Sequence, residues 1–397
     1  MDSITVTRKV SVPDPERVER YRRFPETGPK MLFFSGGTAM NRFSRILKRF
    51  THNSIHLLTP FDSGGSSAKL REAFGMLAVG DIRSRLIALA DESVAGSPEA
   101  YRLANYRLPK ESSEDLLLQE FDDIVKGRHP LSAALPKPLG DLIRLQLDLF
   151  QQTMPANFDL RGASIGNLIL TGGYFNYQHQ LEPILFLFSK LLTVKGTVLP
   201  ITEDSAHLVA ELATGEEVIG QHLITGKEVD EIKSPIVNVS LSSCNQKNLP
   251  VAVKVTEKIS GNIMSADLIC YPPGSFYSSI IANLLPEGVG RSIVSNICPK
   301  VYVPNMGEDP EQLGMSILDQ VNAILYYLRL DAGEDTAVSD LLNIVLIDSD
   351  AAKHFDPLEL SKIEALGIRI LKTQLVSSGS YPFYNKHKLA DALLSLC

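Results

Sequence analysis

The chain has 397 residues, of which 44% are hydrophobic and 21% are charged. This composition is typical of a globular protein, and the length suits one large α/β domain or two smaller ones. The 46 acidic residues outnumber the 39 Lys and Arg residues and give a formal net charge of −7. Nucleic-acid binding is disfavoured, because proteins that contact many phosphates carry a basic face and no stretch of this chain supplies one.

The sequence shows no membrane, secretion or zinc signal. The densest apolar run, 184–188, is too short to cross a bilayer, and the N-terminal residues lack the apolar segment of a secretory signal. The four cysteines and eight histidines are scattered, with no CxxC or HExxH spacing. We therefore expect a cytoplasmic protein with reduced thiols and no membrane contact, in which any metal is a hard cation bound by oxygen.

The first part of the chain predicts an arm and a βαβ unit. Residues 1–30 contain four prolines among mixed charges and predict an arm outside the main core, with a short helix over 16–23. An apolar run over 31–34 then ends in a glycine turn, a helical pattern covers 40–50, and a second apolar run covers 55–61. This order of strand, turn, helix and strand predicts a parallel sheet with helices on both faces.

The rest of the chain predicts two departures from this βα rhythm. A polar helical pattern predicts an insert over about 91–155, and short alternating strands predict a β-rich, cap-like excursion over about 195–257. We predict that residues 31–397 form a single α/β domain with a Rossmann-like, doubly wound, mostly parallel sheet. The rhythm returns with predicted strands at 266–270, 300–303, 343–347 and 368–371 and a closing helix at 388–396.

Two glycine turns, Gly36-Gly37-Thr38 and Gly274-Ser275, each lie between a predicted strand and a helix. Glycine lets the backbone approach an anion closely, and a helix N-terminus offers unpaired N–H groups and the positive end of its dipole. Each turn alone is better explained as a tight βα turn with a hydroxyl cap. Two of them at strand ends of one doubly wound sheet favour a ligand crevice. The first turn matches neither the P-loop nor the GxGxxG pattern.

An acidic loop follows the second predicted strand. Residues 62–67 combine the Asp62 carboxylate with two glycines and three serines, so they offer oxygen ligands to a hard cation and donors to a phosphate. Asp62 is either the N-cap of the next helix or a ligand for magnesium or a ribose. Asp81 is better explained as a helix N-cap, while Arg83 points toward the crevice. An acid beside basic groups and glycine turns suits a diphosphate with a divalent ion.

The sequence leaves open the role of one side-chain amide and of the histidines. Asn167 lies on an otherwise apolar segment and must satisfy its amide, either with a ligand or, as the safer assumption, with the backbone. We interpret the histidines, His207 and His222 included, as structural or solvated.

These motifs together resemble the CofD/YvcK family. The resemblance extends from Met31 to Leu396, interrupted by the helical insert, and its most specific part joins GGSS to GDIR. It implies a Rossmann-like fold that binds a nucleoside diphosphate derivative. The segments that carry it include SGGTAMNRFSRILK, TPFDSGGSSAKLREAFGMLAVGDIRSRLIALAD, GASIGNLIL and ADLICYPPGSFYSSIIANLLPEGV.

The resemblance also implies functional residues, with some departures. The family has an acid where this chain has Phe61, a histidine where it has Ala163, and glycines where it has Ser35 and Ala39. The phosphate-binding parts are thus better preserved than the acid and the histidine. The catalytic groups implied are Asp62, Asp81 and Arg83, with Asp62 as the metal ligand. The nucleotide- and phosphate-binding residues implied are Gly36, Gly37, Thr38, Gly64, Gly65, Ser66, Ser67, Asn167, Gly274, Ser275, Tyr277 and Ser278.

Two functions from different classes follow from the resemblance. The first is a Mg²⁺-dependent phosphotransferase, similar to 2-phospho-L-lactate transferase, that moves a phospholactyl-type group from a nucleoside diphosphate ester to an acceptor hydroxyl. The alternative is a non-catalytic regulatory protein of the YvcK type that binds a UDP-sugar. An NAD-dependent dehydrogenase ranks last, because the GxGxxG motif is missing. A homodimer is possible, although no sequence feature specifies its interface.

Overall fold

The computed structural model describes residues 9–93, 96–226 and 231–397. The strands in these ranges are β1 (Met31–Ser35), β2 (Ile55–Leu58), β3 (Thr197–Pro200), β4 (His207–Leu212), β5 (Glu217–Ile219), β6 (Ile236–Ser242), β7 (Leu268–Tyr271), β8 (Lys300–Tyr302), β9 (Ile344–Asp348) and β10 (Arg369–Thr373).

Helices cover both faces of the sheet that most of these strands form. Among the described residues, none of the helices combines the length and the hydropathy needed to cross a membrane. The helices are α1 (Pro15–Arg23), α2 (Asn41–Leu47), α3 (Gly65–Phe74), α4 (Gly80–Leu89), α5 (Pro98–Asn105), α6 (Glu114–Val125), α7 (Pro130–Ala133), α8 (Leu139–Thr153), α9 (Ile165–Asn176), α10 (Glu182–Leu191), α11 (Gln221–Thr225), α12 (Glu257–Met264), α13 (Ala282–Leu284), α14 (Val289–Val294), α15 (Ile317–Ala332), α16 (Val338–Leu341), α17 (Pro357–Ala365) and α18 (Lys386–Leu394).

The main sheet has seven strands within the described ranges, in the order β10-β9-β8-β7-β1-β2-β3, and every neighbouring pair is parallel. Its central strand β1 is buried along its whole length. Successive side chains of a strand point to opposite faces, so Leu32 and Phe34 enter one hydrophobic core while Met31 and Phe33 enter the other. A strand covered on both faces needs an unbroken apolar run, which the sequence supplies. The predicted doubly wound α/β fold is confirmed.

The order of the strands reverses beside β1, which has β2 on one side and β7 on the other. Ligands of open α/β sheets bind outside the carboxyl ends of the strands at such a reversal point. The glycine turn 36–38 follows β1 and the turn 274–275 follows β7, so the fold brings the two turns to the same edge of the sheet.

The segments outside the sheet are more closely integrated than their sequence pattern predicts. Helix α1 lies within the predicted arm, and the Arg17 guanidinium on it donates to the main-chain oxygens of Ser395 and Cys397 at the C-terminus. The predicted excursion begins inside the main sheet, because β3 pairs with β2. Its antiparallel part is a three-stranded sheet of order β5-β4-β6 in the described residues.

Candidate functional site

A crevice with two lobes opens at the carboxyl ends of the strands, and Thr38 lines both of them. The first lobe has a volume of about 680 Å³ and the second about 740 Å³. We call the first the basic lobe, because its described lining includes five cationic and three anionic side chains. The second is the turn lobe, named for Pro273, Gly274 and Ser275 in its wall. The charged residues of the basic lobe are Lys69, Arg83, Arg107, Lys110, Arg161, Asp62, Asp81 and Asp159.

The first glycine turn is fixed to helix α4 by the guanidinium of Arg85, which has no exposed surface. Arg85 donates to the carbonyl oxygens of Gly36 and Gly37 at 3.4 Å and to the Ser35 Oγ at 3.0 Å. Its Nη1 also lies 3.0 Å from the Nδ1 of His56. Burial and the Arg85 charge lower the pKa of His56 well below its usual value, so the ring is neutral and its Nδ1 accepts this bond.

A second bond joins the same two elements. The backbone N–H of Gly37 donates to the Oδ2 of Asp81 at 2.6 Å. Asp81 and Arg85 lie four residues apart and therefore share one face of α4. Gly36 is buried, and a Cβ at this position would lie 2.5 Å from the Ser279 Oγ on the helix after the second turn. A glycine is therefore required at position 36 by close packing between the two turns.

The acidic loop, residues 62–67, is held in place by contacts with α3 and α11. The Asp62 Oδ1 accepts the N–H of Gly64 at 3.1 Å, which forms a turn within the loop. Arg71 donates to the carbonyl oxygen of Asp62 at 3.2 Å. The Oγ of Ser63 lies 2.8 Å from the Nδ1 of His222 on α11. A histidine interpreted from the sequence as structural or solvated thus anchors the loop that carries Asp62.

Helices α3, α4 and α9 all begin at the wall of the basic lobe. The lobe is lined by Gly65 and Ser66 from α3, by Gly80 and Asp81 from α4, and by Asn167 from α9. Each helix has eight residues or more, so the positive end of its dipole lies at the wall of the basic lobe. The basic lobe therefore attracts anions through main-chain groups as well as through side chains.

Three buried polar atoms in the same lobe have no hydrogen-bond partner: Arg83 Nε, Ser164 Oγ and Asn167 Oδ1. They are half of the six such side-chain atoms among the described residues. A buried polar group without a partner costs about 1–3 kcal/mol, so a cluster of them in one cavity points to a ligand. The Asn167 amide is satisfied only in part, because its Nδ2 donates to the Ser66 Oγ at 3.1 Å.

The Arg83 side chain packs closely against Gly166 and lines the basic lobe. Arg83 is 7% exposed, and a Cβ on Gly166 would lie 2.7 Å from its Cδ. Burial and the nearby Arg107 lower the pKa of Arg83 to about 10, while Asp81 opposes this shift. Arg83 therefore keeps its charge at neutral pH, in a place where water screens it poorly.

The second glycine turn is organised differently, because side chains of the protein occupy its N–H groups. Asn305 accepts the N–H of Gly274 at 2.8 Å, and Asp309 accepts that of Phe276 at 2.9 Å. The Oε2 of Glu311 accepts the N–H groups of Tyr277 and Ser278, both at 2.8 Å. The segment after this turn, Phe276–Ile281, is a π-helix.

The predicted site residues fall into three groups. Gly274 and Ser275 line the turn lobe, which they share with Thr38. Neither lobe is lined by Gly36, Gly37, Tyr277 or Ser278; Tyr277 and Ser278 are buried, and their N–H groups bind Glu311. A direct ligand role for these four remains a prediction that their geometry does not favour. The remaining predicted residues all line the basic lobe: Thr38, Asp62, Gly64, Gly65, Ser66, Ser67, Asp81, Arg83 and Asn167.

Other residues of the site were given no role by the sequence. Glu311 follows the turn it caps by more than thirty residues, and no short motif marks it. Arg107 lies within the predicted helical insert and Arg161 lies shortly after it, and both line the basic lobe. Arg85 does carry a signal, because it lies one helical turn after Asp81.

The Arg85 contacts yield a test of the first turn. Replacing Arg85 by methionine keeps the volume but leaves the acceptors of Ser35, Gly36 and Gly37 without a donor, so we expect the free energy of unfolding to fall by about 3 kcal/mol. Urea denaturation measures this change. The control is Arg102→Met, since Arg102 is 61% exposed and pairs with Glu99 on the surface. Equal losses in the two variants would show that Arg85 does not organise the turn.

Glu311 yields a pH prediction. Burial and the neighbouring Asp309 raise the pKa of Glu311 to about 7, although Ser278 and the N–H groups oppose the shift. The folded state then binds a proton more tightly than the unfolded state, so the stability owed to this group is present at low pH and is lost as pH rises toward 7.

We expect the free energy of unfolding of the wild type, measured relative to that of Glu311→Gln, to fall as the pH rises from about 5 to 7. The expected slope is up to about 1.4 kcal/mol per pH unit. Urea denaturation across this range measures the difference, in which titrating groups that do not interact with Glu311 cancel. A difference that is constant with pH would contradict the assignment.

Comparison with known proteins agrees with the fold and with the family resemblance. Residues 31–376 match the family model described as 2-phospho-L-lactate transferase CofD. A Nostoc sp. relative is 29% identical over 378 residues, which cover 92% of this chain and 68% of the relative. A Bacillus subtilis relative, named gluconeogenesis factor, is 27% identical over 380 residues and covers 93% of this chain and 98% of its own length.

A solved structure supports the fold alone. The crystal structure of a UPF0052 family member from Bacillus halodurans has a TM-score of 0.66 and 23% identity, and the match covers 93% of this chain and 99% of that one. The resemblance inferred from the glycine turns, the acidic loop and the GDIR segment is confirmed by the family match over most of the chain. The chain therefore belongs to the CofD family.

Proposed function

We propose that the chain binds a nucleoside diphosphate derivative, with the diphosphate in the basic lobe. The observation that carries this proposal is the convergence of the N-termini of α3, α4 and α9 on a cavity in which the buried Arg83 Nε has no hydrogen-bond partner. Helix N-termini bind phosphates through main-chain N–H groups, and a guanidinium adds charge-assisted bonds. The lobe combines both kinds of donor.

The charges of the basic lobe also favour a diphosphate. Asp159 is shared by Lys69 at 2.7 Å and Arg161 at 2.8 Å, so these two cations are partly neutralised. None of the ion pairs within 4.0 Å among the described residues includes Arg83, Arg107 or Lys110. A diphosphate ester, which carries about two negative charges, would supply the missing anions.

Asp62 would hold a magnesium ion that arrives with the phosphates. No cluster of three or more metal-ligating side chains exists in the described part of the chain, which does not favour a resident ion. Mg²⁺ in nucleotide sites usually takes one or two carboxylates and completes its shell with water and phosphate oxygens, and the carboxylate of Asp62 beside the lobe fits that pattern. When bound, the ion would neutralise charge on the phosphate oxygens.

Transfer of a phospholactyl-type group, as in 2-phospho-L-lactate transferase, is the first candidate activity. A carboxylate, Asp62, and a guanidinium, Arg83, line the same lobe. The oxygen of an acceptor hydroxyl would attack the phosphorus of the phospholactyl group. The bond from this phosphorus to the bridging oxygen would break, and that oxygen would leave with the nucleoside monophosphate. Water in the lobe would take the hydroxyl proton, since Asp62 is assigned to the ion. Such transfer depends mainly on positioning and on neutralising charge, which these groups provide.

Binding of a UDP-sugar without turnover is the second candidate. No histidine lines the basic lobe in the described residues, and Ala163 occupies the position where the family has one. The Bacillus subtilis relative carries the name gluconeogenesis factor rather than the name of an enzyme. A regulatory protein would use the same lobe to sense a nucleotide sugar.

The binding proposal predicts that pyrophosphate, GDP, UDP and a UDP-sugar raise the melting temperature of the wild type. Removing the Arg83 charge with Arg83→Met should weaken binding of all of them by about 10–100-fold in isothermal titration calorimetry, because charge-assisted hydrogen bonds contribute about 1.5–3 kcal/mol. The exposed Arg102→Met serves as the control and should bind as the wild type does. If the wild type binds none of these ligands, the proposal is wrong.

Asp62 separates the two candidate activities. In Asp62→Asn we expect the Mg²⁺-dependent part of nucleotide binding to disappear, because the amide lacks the charge that Mg²⁺ prefers. Phosphorus NMR of the wild type with the nucleoside diphosphate ester of phospholactate, Mg²⁺ and a deazaflavin acceptor alcohol then tests turnover. Release of the nucleoside monophosphate by the wild type and not by Asp62→Asn supports the transferase. Tight binding with no release by either contradicts it and favours the regulatory protein.

A further inference from the structure

The turn lobe differs from the basic lobe in its charges. Its described lining has two cationic side chains, Arg42 and Lys386, and two acidic ones, Glu308 and Asp309. The basic lobe has an excess of cations. If a ligand with a diphosphate at one end spans both lobes, the more neutral lobe suits its uncharged end.

The second glycine turn also has few main-chain donors left for a phosphate. The N–H groups of Gly274, Phe276, Tyr277 and Ser278 donate to side chains of the protein. Three of these four bonds go to the carboxylates of Asp309 and Glu311. A phosphate placed here would have to displace these acids or lie close to their charge, both of which are unfavourable.

An exposed aromatic ring lies in the wall of this lobe. Phe383 is 65% exposed, and a Cβ on Gly307 would lie 3.2 Å from its Cε1. The chain around the ring is fixed, because the Phe383 N–H donates to the Ser380 carbonyl at 2.8 Å and the Tyr384 hydroxyl donates to the Pro304 carbonyl at 2.8 Å. An ordered, exposed ring in a cavity is suited to stack against a flat ligand.

The two lobes adjoin at Thr38, which lines both. A ligand whose diphosphate lies among the helix N-termini would extend past Thr38 to place its other end beside Phe383. We infer that the nucleoside end of the ligand occupies the turn lobe, with its base stacked on the ring of Phe383. This inference rests on the proposed diphosphate site and adds the location of the base.

Isothermal titration calorimetry with pyrophosphate, GDP and UDP tests the assignment. Removing the ring with Phe383→Leu should weaken binding of GDP and UDP about tenfold or more and leave pyrophosphate unchanged, because only the nucleotides carry a base to stack. Phe383→Tyr keeps a ring and should restore nucleotide binding. Tyr381→Leu is the matched control, since Tyr381 is 76% exposed on the same segment and does not line the lobe.

The outcomes separate this inference from the proposed function. If Phe383→Leu binds the nucleotides as tightly as the wild type, or weakens pyrophosphate equally, the base does not lie on Phe383 and the inference is overturned. In that case a loss of all three ligands in Arg83→Met still supports the diphosphate site. If the wild type binds none of them, the proposed function and the inference both fail.

Discussion

The geometry of the crevice depends on the buried guanidinium of Arg85. This side chain donates to main-chain oxygens of the turn after β1 and extends from the middle of α4. A helix is rigid, so fixing Arg85 also fixes the first turn of α4, where Asp81 binds the Gly37 N–H and Arg83 enters the basic lobe. A buried arginine is costly unless its donors are satisfied, and here the strand end supplies the acceptors.

The same physical rule explains why two similar glycine turns differ. Every helix N-terminus leaves N–H groups without partners and attracts negative charge. After β7 this need is met by Asp309 and Glu311 from the protein itself. In the basic lobe, helices α3, α4 and α9 begin beside an excess of cations and three unpartnered buried atoms. In the proposed complex a diphosphate would supply the negative charge that the basic lobe lacks, whereas the second turn already has it from Asp309 and Glu311.

Much of the fold could be predicted from the sequence, because buried parallel strands need apolar runs and βα turns need glycine or polar residues. The acidic loop and Asp81, Arg83 and Asn167 were expected near one another, and the structure brings them into one lobe. The occupation of the second turn by Glu311 could not be predicted, since it depends on a contact between distant segments. The same holds for Gly36, whose requirement for glycine comes from Ser279 on another element. The local sequence pattern identifies a glycine turn. Whether the main-chain N–H groups of that turn are free to bind a ligand depends on contacts with distant segments of the chain.

A crystal structure of the protein with a bound nucleoside diphosphate tests the central claim most directly. We expect both phosphorus atoms in the basic lobe, within hydrogen-bonding reach of Arg83 and of the first turns of α3, α4 or α9. Phosphorus atoms at Gly274 and Ser275, with the Asp309 and Glu311 carboxylates displaced, would contradict it.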